Sequence, residues 1–153
     1  MDRRAFLRTA AAGAAFAPTR LSLASPDTAA EIWDLHCHLS GIPGDTPMER
    51  IDQLLVYADR MGVEKLVIFM GWPFVSNPRP DEFRRQNDQV LEALAHRPDR
   101  LLGFAYVSGE YPAESLEEIE RCIARGPMLG IKLWTARRCS ATEIDPLIER
   151  CDE

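Results

Sequence analysis

Two histidines separated by one residue stand in a short apolar stretch near the start of the sequence. His36 and His38 lie in the segment WDLHCHLS at 33–40, and the chain of 153 residues has only three histidines. Side chains alternate along a β-strand, so both imidazoles would project from one face. Imidazoles at this spacing can reach one cation, and borderline-soft divalent metals favour them. The pair predicts a divalent metal site, with zinc favoured; the alternative is two histidines hydrogen-bonded in a polar pocket.

Further residues are candidates for substrate binding or for supporting the metal ligands. They are Asp34, Trp72, Lys132 and Trp134. Asp34 shares the strand face of the histidines, and Lys132, one of two lysines, shares a later strand face with Trp134. The two tryptophans fall at or beyond strand ends, where they would either line a substrate pocket or cover it. Cys37 alternates with the histidines and is predicted to pack against helices.

The hydrophobic pattern predicts the scaffold that positions these residues. Continuous apolar runs typical of buried strands alternate with segments of helical periodicity. Strands are predicted at 32–39, 63–71, 100–108 and 128–136, and helices at 47–62, 81–98, 113–126 and from Ser140 or Thr142 onward. Strict strand–helix alternation predicts a parallel sheet covered by helices. Function is concentrated at the carboxyl ends of such strands, and both histidines are predicted there.

The first residues are typical of a twin-arginine secretory signal. Arg3 and Arg4 are paired, a mildly apolar segment follows at 10–17, and small residues at 22–24 offer a cleavage site. The apolar segment is about half the length of roughly 20 residues that crosses a bilayer, so no membrane anchor is expected. The predicted divisions are a signal peptide, a linker and one domain, at 1–24, 25–31 and 32–153. The mature protein is expected to be periplasmic or secreted.

Export by the twin-arginine route is directly testable. Replacing Arg3 and Arg4 by lysine should retain a fused reporter in the cytoplasm, because that route reads the arginine pair. Cell fractionation measures the effect, and Arg20→Lys is the matched control within the same segment. The twin-arginine interpretation fails if the double variant is still exported and depends on the general secretory machinery.

Charge and the absence of nucleotide motifs narrow the partners. The sequence has 18 basic and 24 acidic residues, a net charge of −6. Without 1–24, which carries four arginines and one aspartate, 14 basic and 23 acidic residues remain, a net charge of −9. A surface of this sign repels nucleic acid, and no strand is followed by a glycine-rich phosphate loop. A small molecule is the expected partner.

The cysteine pattern leaves the thiol state open. The cysteines are Cys37, Cys122, Cys139 and Cys151. They form no CxxC pair, so a zinc–thiolate site is not predicted. Buried free thiols are the expected state, although export would permit disulfides.

Three segments carry a resemblance to a known family. DLHCHLS at 34–40 resembles the opening strand of the amidohydrolase superfamily. QNDQVLEALAHRPDRLLGFAYVS at 86–108 and GPMLGIKLW at 126–134 are similar to its amidohydrolase-related group, which includes metal-dependent decarboxylases. The resemblance runs through 32–153. It implies an α/β fold of the (β/α) TIM-barrel type, of which this chain would form the first four βα units, with His36 and His38 as metal ligands.

The resemblance also implies an activity. It indicates a hydrolase in which metal-activated water attacks a small ester, lactone or amide. The alternatives are non-oxidative decarboxylation of an aromatic or unsaturated acid at the same site, and a non-catalytic fragment. The family's later metal ligands and catalytic aspartate have no match here, so no turnover is expected from this chain alone.

Two expectations concern Lys132 and assembly. Lys132 resembles the carboxylated lysine that bridges two metals in some members of the superfamily. A charge partner for Asp34 or for a substrate carboxylate is the favoured role, and a structural lysine is a further alternative. Four parallel strands leave two open edges, which invite pairing, so a homodimer is expected.

Overall fold

Four βα units follow one another along the part of the chain that the computed structural model describes, residues 31–133, 138 and 140–152. The strands are β1 (Trp33–Cys37), β2 (Lys65–Ile68), β3 (Leu101–Val107) and β4 (Gly130–Leu133). The helices are α1 (Pro47–Met61), α2 (Pro80–His96), α3 (Pro112–Ile119) and α4 (Asp145–Asp152), and a π-helical turn at Glu120–Ala124 continues α3. The predicted element order is confirmed, with strands shorter than predicted.

Several predictions fall outside the described residues. These are the signal peptide at 1–24, most of the linker at 25–31, Trp134 and Cys139. In the part that is described, none of the helices combines the length and the apolar character that crossing a membrane requires.

The four strands form one parallel sheet in the order β1-β2-β3-β4. Each strand therefore pairs with the next strand in sequence, as in consecutive units of a (β/α) barrel. A doubly wound sheet would instead reverse its strand order at a switch point. The predicted fold class, four βα units of a TIM-type barrel, is confirmed.

Alternating side chains give the strands a helix-covered side and an inner side. The helix-covered core includes Cys37, Leu39, Ile51, Leu55, Leu66, Ile68, Val90, Leu101 and Ala105. The alternate strand positions form a second cluster that includes Val67, Phe69, Tyr106, Leu102 and Phe104. The strand period predicts that Trp33 and Leu35 lie with Cys37 on the helix-facing side. Both are nevertheless exposed, because β1 is an outer strand of the sheet.

Local signals set the ends of α1. Glu49 N donates to Thr46 Oγ1 at 3.2 Å, and Thr46 N donates to Glu49 Oε2 at 3.3 Å, which forms a capping box. Gly62 ends the helix with a φ of 70°, a conformation that glycine adopts without a Cβ clash. Both ends of the helix are therefore set by residues that are near one another in sequence.

The start of α4 differs from the prediction. The helix begins at Asp145 and not at Ser140 or Thr142. Pro146 explains the difference, because a proline inside a helix lacks an N–H donor and clashes with the carbonyl four residues earlier. In the first turn of a helix, proline is tolerated.

A buried asparagine ties α2 to β3. Asn87 Nδ2 donates to the Tyr106 carbonyl at 3.0 Å, and Tyr106 N donates to Asn87 Oδ1 at 2.7 Å. The side-chain amide thus takes the place of a strand neighbour beyond the end of β2. Asn87 Nδ2 also donates to Glu118 Oε2 at 2.9 Å, which links the same point to α3. Asn87 therefore has a structural role, since it links α2, β3 and α3.

Candidate metal centre

The two imidazoles singled out by the sequence converge at the carboxyl end of β1. Nε2 of His36 lies 3.1 Å from Nε2 of His38. Two neighbouring ligands of a tetrahedral or octahedral ion, at bonds of about 2.0–2.1 Å, stand about 2.9–3.4 Å apart. The pair therefore fits adjacent positions on one divalent cation.

The surroundings of His38 favour the form that binds a metal. Its Nδ1 lies 3.2 Å from the carbonyl oxygen of Phe69, which can only accept, so Nδ1 carries the proton and Nε2 keeps its lone pair. Burial lowers the pKa of His38, the Phe69 carbonyl opposes this, and the charges of His36 and Lys132 lower the pKa further. A hydrogen bond between the two Nε2 atoms is the alternative, and it requires His36 to carry its proton on Nε2.

An aromatic residue that sequence reasoning missed lies at the centre of the site. The Phe69 ring centroid is 5.0 Å from that of His36 and 4.8 Å from that of His38, both edge-to-face. Phe104 stacks on Phe69 at 6.2 Å, and Phe74 stacks on His38 at 6.3 Å. Phe69 follows β2 directly and continues its inner face after Val67, which is the signal that could have identified it. The imidazoles are therefore held in an aromatic environment.

Lys132 reaches this aromatic environment from β4. Its Nζ lies 4.7 Å from the centroid of the Phe69 ring. The predicted pairing with Asp34 does not form among the described residues; Asp34 Oδ1 accepts from His36 N at 2.9 Å. Asp34 and Lys132 stand on the two outer strands, with β2 and β3 between them. Lys132 therefore belongs to the histidine site and not to an ion pair with Asp34.

Cys37 lies between the two histidines in sequence but on the other side of the strand. It is buried in the helix-covered core, and burial, with a hydrogen bond to Asp34, raises the pKa of its thiol to about 12. A thiol in this state stays protonated, so Cys37 packs and does not bind metal. Cys122 is likewise a buried free thiol, as expected, whereas Cys151 is free but exposed.

A buried arginine that sequence reasoning missed holds Trp72. The Arg50 guanidinium carbon lies 3.7 Å from the centroid of the Trp72 ring, and Trp72 is 37% exposed. Arg50 donates to the carbonyl of Leu39 at 3.2 Å and also to that of Ile42. It therefore joins the loop after His38 to the segment after β2. A charged residue on an amphipathic helix normally points to solvent, so no pattern in the sequence predicts this contact.

The histidine pair alone does not make a complete set of metal ligands. In the described ranges, no group of three or more His, Cys, Asp or Glu side chains is arranged to hold a metal ion. The third histidine, His96, lies elsewhere, with its Nε2 3.1 Å from Asp52 Oδ1. His36 and His38 could therefore supply at most two ligands to an ion, and a four-coordinate ion would need others from solvent, substrate or further protein.

Comparison with curated proteins reveals partial relatives. No family model matches the sequence. The chain is similar to gamma-resorcylate decarboxylase from Rhizobium sp. (strain MTP-10005), with 35% identity over 78 residues, covering 47% of this chain and 24% of the relative. It is also similar to gamma-resorcylate decarboxylase from Rhodococcus jostii (strain RHA1), with 31% identity over 84 residues, covering 52% and 26%. The matches span about a quarter of the length of these relatives.

Solved structures show a similar fold. A 2,6-dihydroxybenzoate decarboxylase from Rhizobium aligns with a TM-score of 0.51 and 27% identity, over 66% of this chain and 37% of that one. A 5-carboxyvanillate decarboxylase from Novosphingobium aromaticivorans, complexed with manganese and 4-hydroxy-3-methoxy-5-nitrobenzoic acid, aligns with a TM-score of 0.57 and 22% identity, over 75% and 38%. The second likeness concerns the fold alone. The predicted resemblance to the amino-terminal half of the amidohydrolase-related group is confirmed.

Proposed function

We propose that these four βα units form the amino-terminal part of a metal-dependent decarboxylase that removes carbon dioxide from an aromatic carboxylic acid. The observation that carries the proposal is the 3.1 Å approach of the His36 and His38 Nε2 atoms at the carboxyl end of β1. The curated relatives and the Rhizobium structure are decarboxylases of aromatic acids by name, which supports the reaction type.

This proposal departs from the hydrolysis that the sequence favoured. Hydrolysis of a small ester, lactone or amide would use the same metal, and no contact of the described residues selects it. The aromatic rings of Phe69, Phe74 and Phe104 around the histidines favour a planar ligand, because offset and edge-to-face ring contacts stabilise such packing. The similarity to decarboxylases therefore favours decarboxylation over hydrolysis at the same kind of site.

The histidines determine what the metal can do. A divalent ion bound here would supply Lewis-acid stabilisation of negative charge that develops on the substrate. His38 is held in orientation by the Phe69 carbonyl and by edge-to-face contact with the Phe69 ring. Decarboxylation breaks the bond between ring carbon and carboxylate, leaves the electron pair on the ring carbon and requires a proton there as carbon dioxide departs.

The identity of the ion is part of the proposal. The sequence favoured zinc, whereas the 5-carboxyvanillate decarboxylase structure contains manganese. Two imidazoles suit zinc, and manganese prefers additional oxygen ligands. We propose a divalent ion, with manganese and zinc to be compared directly in the assays.

The reaction test supplies the missing ligands from a relative. The 153-residue chain is coexpressed with the part of the Rhizobium sp. gamma-resorcylate decarboxylase that follows the matched segment, and is loaded with Mn²⁺ or Zn²⁺. Release of carbon dioxide from 2,6-dihydroxybenzoate is the expected result, with none from the chain alone or from the His36→Ala/His38→Ala variant.

A second measurement uses this chain by itself. The electron paramagnetic resonance spectrum of bound Mn²⁺ should change when 2,6-dihydroxybenzoate is added and remain unchanged with phenyl acetate. Hydrolysis of phenyl acetate by the complemented protein, without release of carbon dioxide from any aromatic acid, would reject the decarboxylase proposal in favour of a hydrolase.

A further inference from the structure

We infer that the Lys132 ammonium group binds the carboxylate of the aromatic substrate; this inference rests on the proposed function and names the residue that selects the acid. Lys132 lies on the inner side of β4, while its neighbours Ile131 and Leu133 pack with the helices. Its Nζ is 4.7 Å from the centroid of Phe69, the ring that contacts both His36 and His38. The cation therefore points into the histidine site.

The charge balance of the site calls for an anion. Within the described residues Lys132 has no carboxylate partner, and Asp34, the acid nearest to the histidines in sequence, is engaged by the backbone N–H of His36 and by the thiol of Cys37. The ammonium group and the divalent ion of the proposed function would together carry three positive charges. Positive charges that are partly withdrawn from water repel one another, and an anion between them offsets this repulsion. The carboxylate of an incoming acid would pair with the Lys132 ammonium group and offset this positive charge.

The aromatic surroundings indicate which anion fits. Phe104 stacks on Phe69 next to the ammonium group, and Phe74 stacks on His38 at the other side of the site. Phe104 and Phe74 are half-buried. Edge-to-face or offset contacts with these rings favour an aromatic acid, whose carboxylate can reach Lys132. The inferred ligand is therefore an aromatic monocarboxylate.

The only other lysine provides an internal control. Lys65 Nζ lies 5.5 Å from the centroid of the Trp33 ring, so it makes the same kind of cation–π contact. It stands at the start of β2, at the end of the sheet opposite to the histidines. If a cation–π contact were the whole role of Lys132, removing either lysine would change ligand binding by a similar amount.

Two further variants separate the alternatives. Lys132→Arg keeps a positive charge that can bind a carboxylate, but it cannot form the carbamate needed to bridge two metals. Lys132→Met keeps most of the side-chain length and removes the charge. Retained ligand binding in the arginine variant therefore distinguishes carboxylate binding from metal bridging.

Isothermal titration calorimetry tests the inference on the 153-residue chain, first in EDTA and then with Mn²⁺. The probes are 2,6-dihydroxybenzoate and its neutral isostere 2,6-dihydroxybenzamide. Lys132→Met is expected to weaken binding of the acid about 10- to 100-fold, the range of a charge-assisted hydrogen bond, and to change binding of the amide by less than about twofold. Lys132→Arg should retain most of the affinity for the acid, and Lys65→Met should leave it unchanged.

Specific outcomes overturn the inference. Equal weakening of acid and amide by Lys132→Met would assign the lysine a structural role, and thermal melts of each variant identify that case. Loss of acid binding in Lys132→Arg as severe as in Lys132→Met would favour metal bridging. Failure of the unmodified chain to bind the acid at millimolar concentration would also reject the inference that Lys132 binds the substrate carboxylate.

Failure of the inference is distinguishable from failure of the proposed function. Acid binding that depends on Lys132 in EDTA, in a chain that binds no metal, would reject the proposed function alone. Metal binding and carbon dioxide release that survive Lys132→Met, with unchanged affinity for the acid, would reject the inference alone.

Discussion

The His36→Ala/His38→Ala variant is expected to lose binding of Zn²⁺ and Mn²⁺ by more than about 100-fold, since removing a group that merely orients a ligand already costs about 10- to 100-fold. The reason is geometric, because the two Nε2 atoms lie 3.1 Å apart. Among the described residues, no group of three or more His, Cys, Asp or Glu side chains could hold the ion in their place. Titration with a competing chelator measures the affinity.

Single substitutions and a remote histidine control this result. Each single variant leaves one imidazole and should retain weaker binding than the unmodified chain. His96→Ala removes an imidazole that bonds Asp52 away from the site and should leave metal affinity unchanged. Zinc affinity in the micromolar range or tighter that persists in the double variant would exclude His36 and His38 from the metal site.

Glu118→Gln is expected to lower the free energy of unfolding by about 2–3 kcal/mol. This is less than the full cost of breaking a buried ion pair, because Arg121 remains 31% exposed and its guanidinium can be hydrated again. Glu118 is 2% exposed and accepts from Arg121 Nε at 2.8 Å, from Arg121 Nη2 at 2.7 Å and from Asn87 Nδ2 at 2.9 Å. Asn87 in turn holds the Tyr106 backbone, so the substitution loosens α3 and β3 together. Urea unfolding at pH 7 measures the change.

The same residue predicts a dependence on pH. Burial alone would raise the pKa of Glu118, but hydrogen bonds from Arg121 and Asn87 and the charges of Arg121 and Arg84 outweigh it, so the pKa lies below its ordinary value. A carboxylate with a depressed pKa stabilises the fold above the ordinary glutamate range, about 4.3, and this contribution is lost as pH falls through the lower folded pKa. The stability difference between Glu118→Gln and the unmodified chain should therefore shrink below about pH 4.

A neighbouring glutamate supplies the control. Glu117 is exposed on α3, so Glu117→Gln should change the free energy of unfolding by less than about 0.5 kcal/mol at any pH. Equal destabilisation by the two substitutions would show that the buried position and the hydrogen bonds of Glu118 do not matter.

Local pattern predicted the parts of the structure that depend on neighbours along the chain. The strand period placed His36 and His38 on one face and Cys37 on the other, because successive side chains in a strand point to opposite sides. Gly62 ended α1 where the sequence placed its end. Periodicity did not predict the start of α4, because that start depends on a proline. Pro146 has no N–H to donate to the carbonyl of Thr142, so the helix does not extend back to that residue.

The sequence by itself therefore determined the order of strands and helices and the placement of the histidine pair on one strand face, which depend on periodicity within each element. It also determined the parallel sheet, which follows from the alternation of strands and helices along the chain. Only the tertiary structure decided what surrounds that pair. Phe69 lies 31 residues from His38, and Glu118 lies 31 residues from Asn87, so neither partnership leaves a mark in local sequence. Lys132 contacts Phe69 and not Asp34 because the sheet separates the outer strands, and that separation is set by the packing of four strands together.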